Sequence, residues 1–377
     1  FMPLFFYFYI MKEIKYTLIA LFSIFLIISC SGDSDEDQDT VPEFDRSTIL
    51  KNYVENIIIP RYGDFKLALD ELEIAVDDFT QAPTQGTYQK LHDEWLESYK
   101  KWQHIEMFNI GKAEELMYLQ KMNAYPADNS RIEANVSSSK TDLTSANDFT
   151  SQGFPAIDYM IHGVATDFVS VSNIYANNSK YGDYLKVLVD VMIQNTGDII
   201  QDWSSTKDSF IQSSGNSNTS SLNMVTNDFV YYFEKGLRAN KIGIPAGRYS
   251  GGDALPSKVE AYYSSKNSFQ DVSKILAMEA VVASENFFTG KSSTGAMGAS
   301  LKTYLDYIHA SDVNKENLSP LIISNFQEAK QAVNQLDANF INQINNDQLK
   351  MMNAFNKLQA IVAVSYTHLR AHETRPN

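Results

Sequence analysis

Apolar residues recur every three or four positions through most of this chain, the spacing of one buried helix face. Tyr88, Leu91, Trp95, Tyr99, Trp102 and Ile105 share such a stripe, and Thr84, after Pro83, is its expected N-cap. Ile49, Tyr53, Ile57, Phe65, Leu69, Leu72, Val76 and Phe79 form an earlier one, which Pro60 is expected to kink or split. Further stripes run through Leu185, Leu188, Met192, Ile199 and Trp203, and through Leu222, Val225, Phe229, Phe233 and Leu237. Val272, Leu276, Ala283 and Phe287 continue the pattern with one acid, Glu279, among them. Phe326, Ala329, Val333, Leu336, Phe340 and Ile344 then lead into Leu349, Met352, Phe355, Leu358 and Ile361. Strand-like alternation is rare, so the pattern predicts an all-α protein of about ten helical segments, with the aromatic stripes as core.

Two breaks in the periodicity stand out. The polar run 213–221 is the expected domain boundary. The Gly/Pro-rich run 243–253 is either a functional loop or an ordered connection between helices.

The ends differ from the body. Met11 to Lys15 is a short charged start, the apolar run Leu18 to Ile28 follows it, and Ser29 precedes Cys30. That is the layout of a secretory signal, in a run too short for a comfortable membrane span. Ile27-Ile28-Ser29-Cys30 resembles a bacterial lipobox, which makes Cys30 the expected lipidation site. The acidic run Ser31 to Asp39 reads as a solvated tether, and it resembles the export signal of surface lipoproteins in Bacteroidota. The expected layout is thus a signal segment at 1–29, with residues 1–10 as spurious upstream sequence, and a tether at 30–45. Helical domains follow at 46–210 and 211–364, and then an artefactual tail at 365–377.

Charge and composition narrow the function. With 31 Lys+Arg against 46 Asp+Glu the net charge is −15, which disfavours a phosphate-backbone partner. The single cysteine excludes a disulfide framework and any cysteine-rich metal site. No His-Glu-x-x-His helix and no Gly-x-Ser-x-Gly elbow occurs. Gly290-Lys291-Ser292 ends like a phosphate loop, but Glu285 occupies the first glycine position. Of the body histidines His92, His104, His162 and His309, only His162 has a suggestive neighbour, Asp158, one helical turn earlier. The pair is read either as a local hydrogen bond or as two ligands of a metal completed from elsewhere, with Glu106 as a further carboxylate.

The helix from Trp95 through Trp102 to Glu106-Met107-Phe108 resembles the Trp…Arg…Tyr…Glu-x-Phe pattern of the imelysin family. Gln152 to Met160 lies where that family has Gly-x-His-x-x-Glu. The blocks Lys241 to Gly247 and Pro256 to Tyr263 resemble a stretch common in imelysin-like lipoproteins of Bacteroidota. The resemblance implies an all-α protein of two helix-bundle-like domains, with a site at their junction. It also implies export and an association with iron or haem uptake, under an older label of metallopeptidase. Gly153 matches the motif glycine, Pro155 replaces the histidine and Asp158 replaces the glutamate. Proline can neither ligate a metal nor act as a base, though it suits the first turn of a helix.

The first expectation is therefore a lipid-anchored, non-enzymatic binding or accessory component of iron or haem uptake, exposed on the outer membrane, with iron or haem as its ligand. A metal-dependent hydrolase using Asp158, His162 and Glu106 is the second. A structural partner of an outer-membrane receptor is the third.

Overall fold

Helices and the turns between them make up the fold. The computed structural model describes residues 44–373 apart from 216, 218, 267–271 and 313–314, with side chains as far as 362. The signal segment, Cys30 and nearly all of the tether lie outside these residues. No strand occurs among the described residues, only two isolated bridges, Lys291–Met297 and Ser311–Asn317. The fold is all-α.

In the N-terminal half, α1 (Ser47–Asn52), a π-helical segment (Tyr53–Ile58) and α2 (Ile59–Gln81) run on without interruption. Pro60 does not split them. Its missing N–H falls at the first turn of α2, and the wider π turn upstream takes up the register change that the ring imposes. α2 packs on α3 (Gln85–Gln103) and on the long α6 (Ser179–Gln212). Thr84 caps α3 as expected. Its side chain accepts from the Thr87 amide, and Thr87 Oγ1 accepts from the Thr84 amide at 3.0 Å.

Two short helices between α3 and α6 matter for the site, α4 (Tyr118–Asn123) and α5 (Gly153–Asp158). Gly153, at the start of α5, has φ +71°, and a Cβ there would lie 2.3 Å from the Met122 carbonyl oxygen. Only glycine allows α4 to approach this closely. Pro155 sits in the first turn of α5, buried, where its lack of an N–H costs no helical hydrogen bond.

In the C-terminal half, α7 (Ser221–Tyr231) passes into a long π-helical stretch, Tyr232–Gly243. α8 (Tyr262–Lys266), α9 (Val272–Thr289), α10 (Leu318–Asn334) and α11 (Phe340–Glu373) follow. α11 packs on α10 and on the π stretch, and α9 packs on α10. The run 243–253 is held at its turns, because Gln348 Nε2 donates to the Ala246 and Gly252 carbonyls at 2.9 and 2.7 Å. α11 is kinked at Asp347, whose carboxylate accepts from the Lys350 amide. That kink turns Leu349 outward, 80% exposed, although the sequence pattern placed it on the apolar stripe. The helical backbone continues to Glu373.

The halves meet where α9 crosses α3. Phe287 of α9 stacks on Tyr53 at 4.2 Å and meets Phe108 at 5.6 Å. Glu279, the acid within the α9 stripe, faces His104, with 3.0 Å between carboxylate and ring nitrogen. This gives a second histidine a carboxylate partner that spacing along the chain does not show.

Candidate functional site

Residues from both sides of the connection between α6 and α7 converge on a buried charge network. Lys241, in the π stretch, places Nζ 2.8 and 3.0 Å from the two Glu260 oxygens and 3.0 Å from Glu106 Oε2. All three side chains are buried. Burial alone would lower the Lys241 ammonium, but Glu106 and Glu260 outweigh it and hold the group above its ordinary value. Asn123, at the end of α4, donates to Glu106 Oε1 at 2.7 Å and to Glu260 Oε1 at 2.9 Å. Its own carbonyl accepts from the Tyr99 hydroxyl at 2.5 Å. Gly153 therefore acts on this network indirectly, by seating the helix that ends in Asn123.

Asp158 and His162 belong to a second cluster. Asp158 Oδ2 accepts from the Tyr263 amide at 2.8 Å, and Oδ1 accepts from the Ser264 amide at 2.9 Å, both at the start of α8. Oδ1 also lies 2.8 Å from His162 Nδ1, so the pair one turn apart is in contact. His162 Nε2 in turn meets His92 Nδ1 at 3.0 Å. Burial, reinforced by His162, pushes the His92 ring down to about 3, which keeps it neutral. Asp158 immediately precedes another π segment, Tyr159–Gly163, and His162 lies within it. Tyrosine hydroxyls hold that segment, Tyr88 donating to the Ile161 carbonyl at 2.9 Å and Tyr175 to the Met160 carbonyl at 3.0 Å. Gly163 leaves room there for Tyr263, whose ring carbon would lie 2.6 Å from a Cβ.

Glu106 does not join Asp158 and His162 directly. Tyr99 connects the clusters: its hydroxyl serves Asn123, and its ring stacks on Phe154 at 4.1 Å and 4°, within the helix that carries Asp158. Burial and then the Glu260, Glu106 and Asp158 charges push its phenol well above the usual range.

A family model described as Imelysin matches residues 58–365. The chain belongs to the imelysin family. An imelysin-like protein from Psychrobacter arcticum has a similar fold, with TM-score 0.66 and 19% identity, 86% of this chain covering 94% of that one. A structure from Parabacteroides distasonis gives TM-score 0.67 at 16% identity, with 87% of this chain on 96% of that one. Among curated proteins, iron-regulated protein A of Synechococcus elongatus is 24% identical over 79 residues, 21% of this chain. The chain spans only 22% of that relative's length.

As folded, the imelysin-motif residues do not fit a metal ion. Both Asp158 oxygens are engaged by backbone amides, and Oδ1 also by a histidine. Glu106 and Glu260 close around an ammonium that already fills the cation's place between them. Among the described residues no group of three or more His, Cys, Asp or Glu side chains is arranged to hold a metal. No described helix is long and apolar enough to cross a membrane.

Sequence reasoning named Glu106, Asp158 and His162 but missed His92, Asn123, Lys241 and Glu260 as site residues. A signal for two of them was present. His92 follows Tyr88 by four positions, and Lys241 follows Phe229, Phe233 and Leu237 in steps of four. Each is a polar side chain in phase with an apolar stripe, so burial and a partner are required of it. Asn123 and Glu260 carry no such mark, because they lie at a helix end and in a connection.

Proposed function

We propose that this imelysin-family protein is an exported, non-enzymatic binding component of iron or haem uptake, held at the cell envelope through Cys30. The observation that carries the non-enzymatic part is the saturation of its carboxylates. A hydrolase needs an acid or base free to exchange a proton or hold a metal-bound water. Asp158 is tied to two amides and His162, while Glu106 and Glu260 are tied to Lys241 and Asn123. The iron part is supported by the name of the curated relative, iron-regulated protein A, over the short stretch it shares. The anchor is supported by the position of the lone cysteine after the apolar run.

The test is titration of ferrous salts, ferric salts and haem into the purified chain, with transcript levels followed under iron limitation. Saturable binding together with induction supports the reading. Absence of both, or peptide cleavage abolished by Asp158→Ala, overturns it.

A further inference from the structure

A cavity of about 270 Å³ opens beside the charge network, lined by Asn123, Ala124, Tyr125, Asn240, Ile244 and Lys258. Its innermost polar side chain, Asn123, is fully engaged, and the Glu106–Lys241–Glu260 network lies directly behind it. The side chains of Tyr125, Asn240 and Lys258 have no hydrogen-bond or ion-pair partner among the described residues. The cavity therefore offers an ammonium, a phenol and an amide, beside the apolar surfaces of Ala124 and Ile244. Burial and then the Glu260 and Glu106 charges push the Tyr125 phenol well above its usual value, so it donates and does not ionise.

We infer that this cavity binds a small molecule through a carboxylate, with Lys258 supplying the charge and Tyr125 and Asn240 the hydrogen bonds. A site fixed by a few convergent polar groups on an apolar wall is how small ligands are oriented. The cavity falls below the volume usual for drug-sized ligands, so the apolar body is short. Lys241 is committed to Glu106 and Glu260, so among the described lining residues Lys258 is the one ammonium left for a ligand, and it matches a single negative charge. A doubly charged phosphate lacks a second one, and a cationic ligand would face the Lys258 ammonium. The assignment deepens the binding-protein reading and rests on it only in that the ligand is held and not transformed.

Isothermal titration of butyrate into the full chain tests it, with inorganic phosphate and butylamine as comparators. Butyrate is expected to bind saturably, and phosphate and butylamine at least about tenfold more weakly. Lys258→Met is expected to weaken butyrate by about tenfold or more, and Tyr125→Phe by a few fold, with thermal stability unchanged. Lack of saturable butyrate binding, equal binding of phosphate or butylamine, or full affinity in Lys258→Met overturns the assignment, whether or not iron or haem binds. Butyrate binding that Lys258→Met abolishes upholds it even where iron and haem fail to bind.

Discussion

The Glu106–Lys241–Glu260 network and the Asp158–His162–His92 chain lie in the same interior, joined by one tyrosine, yet they satisfy their charges in opposite ways. In the first, two carboxylates and an ammonium hold each other, with a single amide side chain closing the gaps. In the second, one carboxylate is held by backbone amides, and the adjoining His92 ring stays neutral. Ion-paired interiors are sensitive to the loss of any one member, because the survivor is a buried uncompensated charge. Amide-held carboxylates serve to dock one segment on another, here α8 on α5. The cavity opens beside the first cluster, whereas Asp158 belongs to the second. Asp158 ties α8 to α5, and the cavity proposed for a ligand opens beside the cluster that Tyr99 joins to it.

The largest expected effect separates the clusters most sharply. Lys241→Met should cost about 3–5 kcal/mol in denaturant unfolding, because it leaves Glu106 and Glu260 buried without a counter-charge. Adding Glu106→Gln and Glu260→Gln should recover most of that loss. A cost below about 1 kcal/mol for the single variant would mean that the network is solvated and the contrast false. Asp158→Ala should cost about 2–3 kcal/mol by orphaning the Tyr263 and Ser264 amides and His162. Butyrate affinity should stay unchanged in this variant.

Acid should reach the second cluster through His92. The His92 ring is held near 3 in the folded chain against 6.5 in a free imidazole, so the unfolded chain binds the extra proton between those values. Its contribution is present in full above pH 6.5 and is lost as the pH falls toward 3. His92→Gln should flatten that limb in pH-dependent unfolding, and an unchanged limb would show that the ring is solvated. Asp228 has the opposite sign. Burial, followed by Glu114, raises its carboxyl to about 7 against 3.8 in the unfolded chain, so its contribution is present in full below pH 3.8 and is lost as the pH rises to 7. Asp228→Asn should raise stability at pH 8 by about 1–2 kcal/mol, read from the same curves. The smallest effect lies outside both clusters: Thr84→Ala should cost about 1 kcal/mol through loss of the α3 cap.

Much of the fold was legible because helical burial leaves a periodic trace. Every member of the Tyr88-to-Ile105 stripe is buried, and the Thr84 cap is in place. Leu349 was misjudged because a kink at Asp347 changes helix phase without changing the local pattern, and Pro60, expected to kink or split its helix, follows a π turn and leaves the helix unsplit. The site was legible only in part. His162 with Asp158 is a one-turn pair, which spacing reveals. Lys241 meets Glu106 and Glu260 across the fold, and His104 meets Glu279 in the same way. Such partnerships follow from tertiary packing, and a one-turn rule cannot express them. Polar residues in phase with apolar stripes, Glu106, Lys241 and Glu279 among them, were the trace that packing left in the sequence.

On the proposed assignment, ligand engages the cavity beside the charge network and leaves the segment 153–163 alone. Hydrogen exchange of the full chain, with and without saturating butyrate, tests this most directly. Added protection is expected at 118–125 and 237–260 and none at 153–163. Protection confined to 153–163 would contradict it.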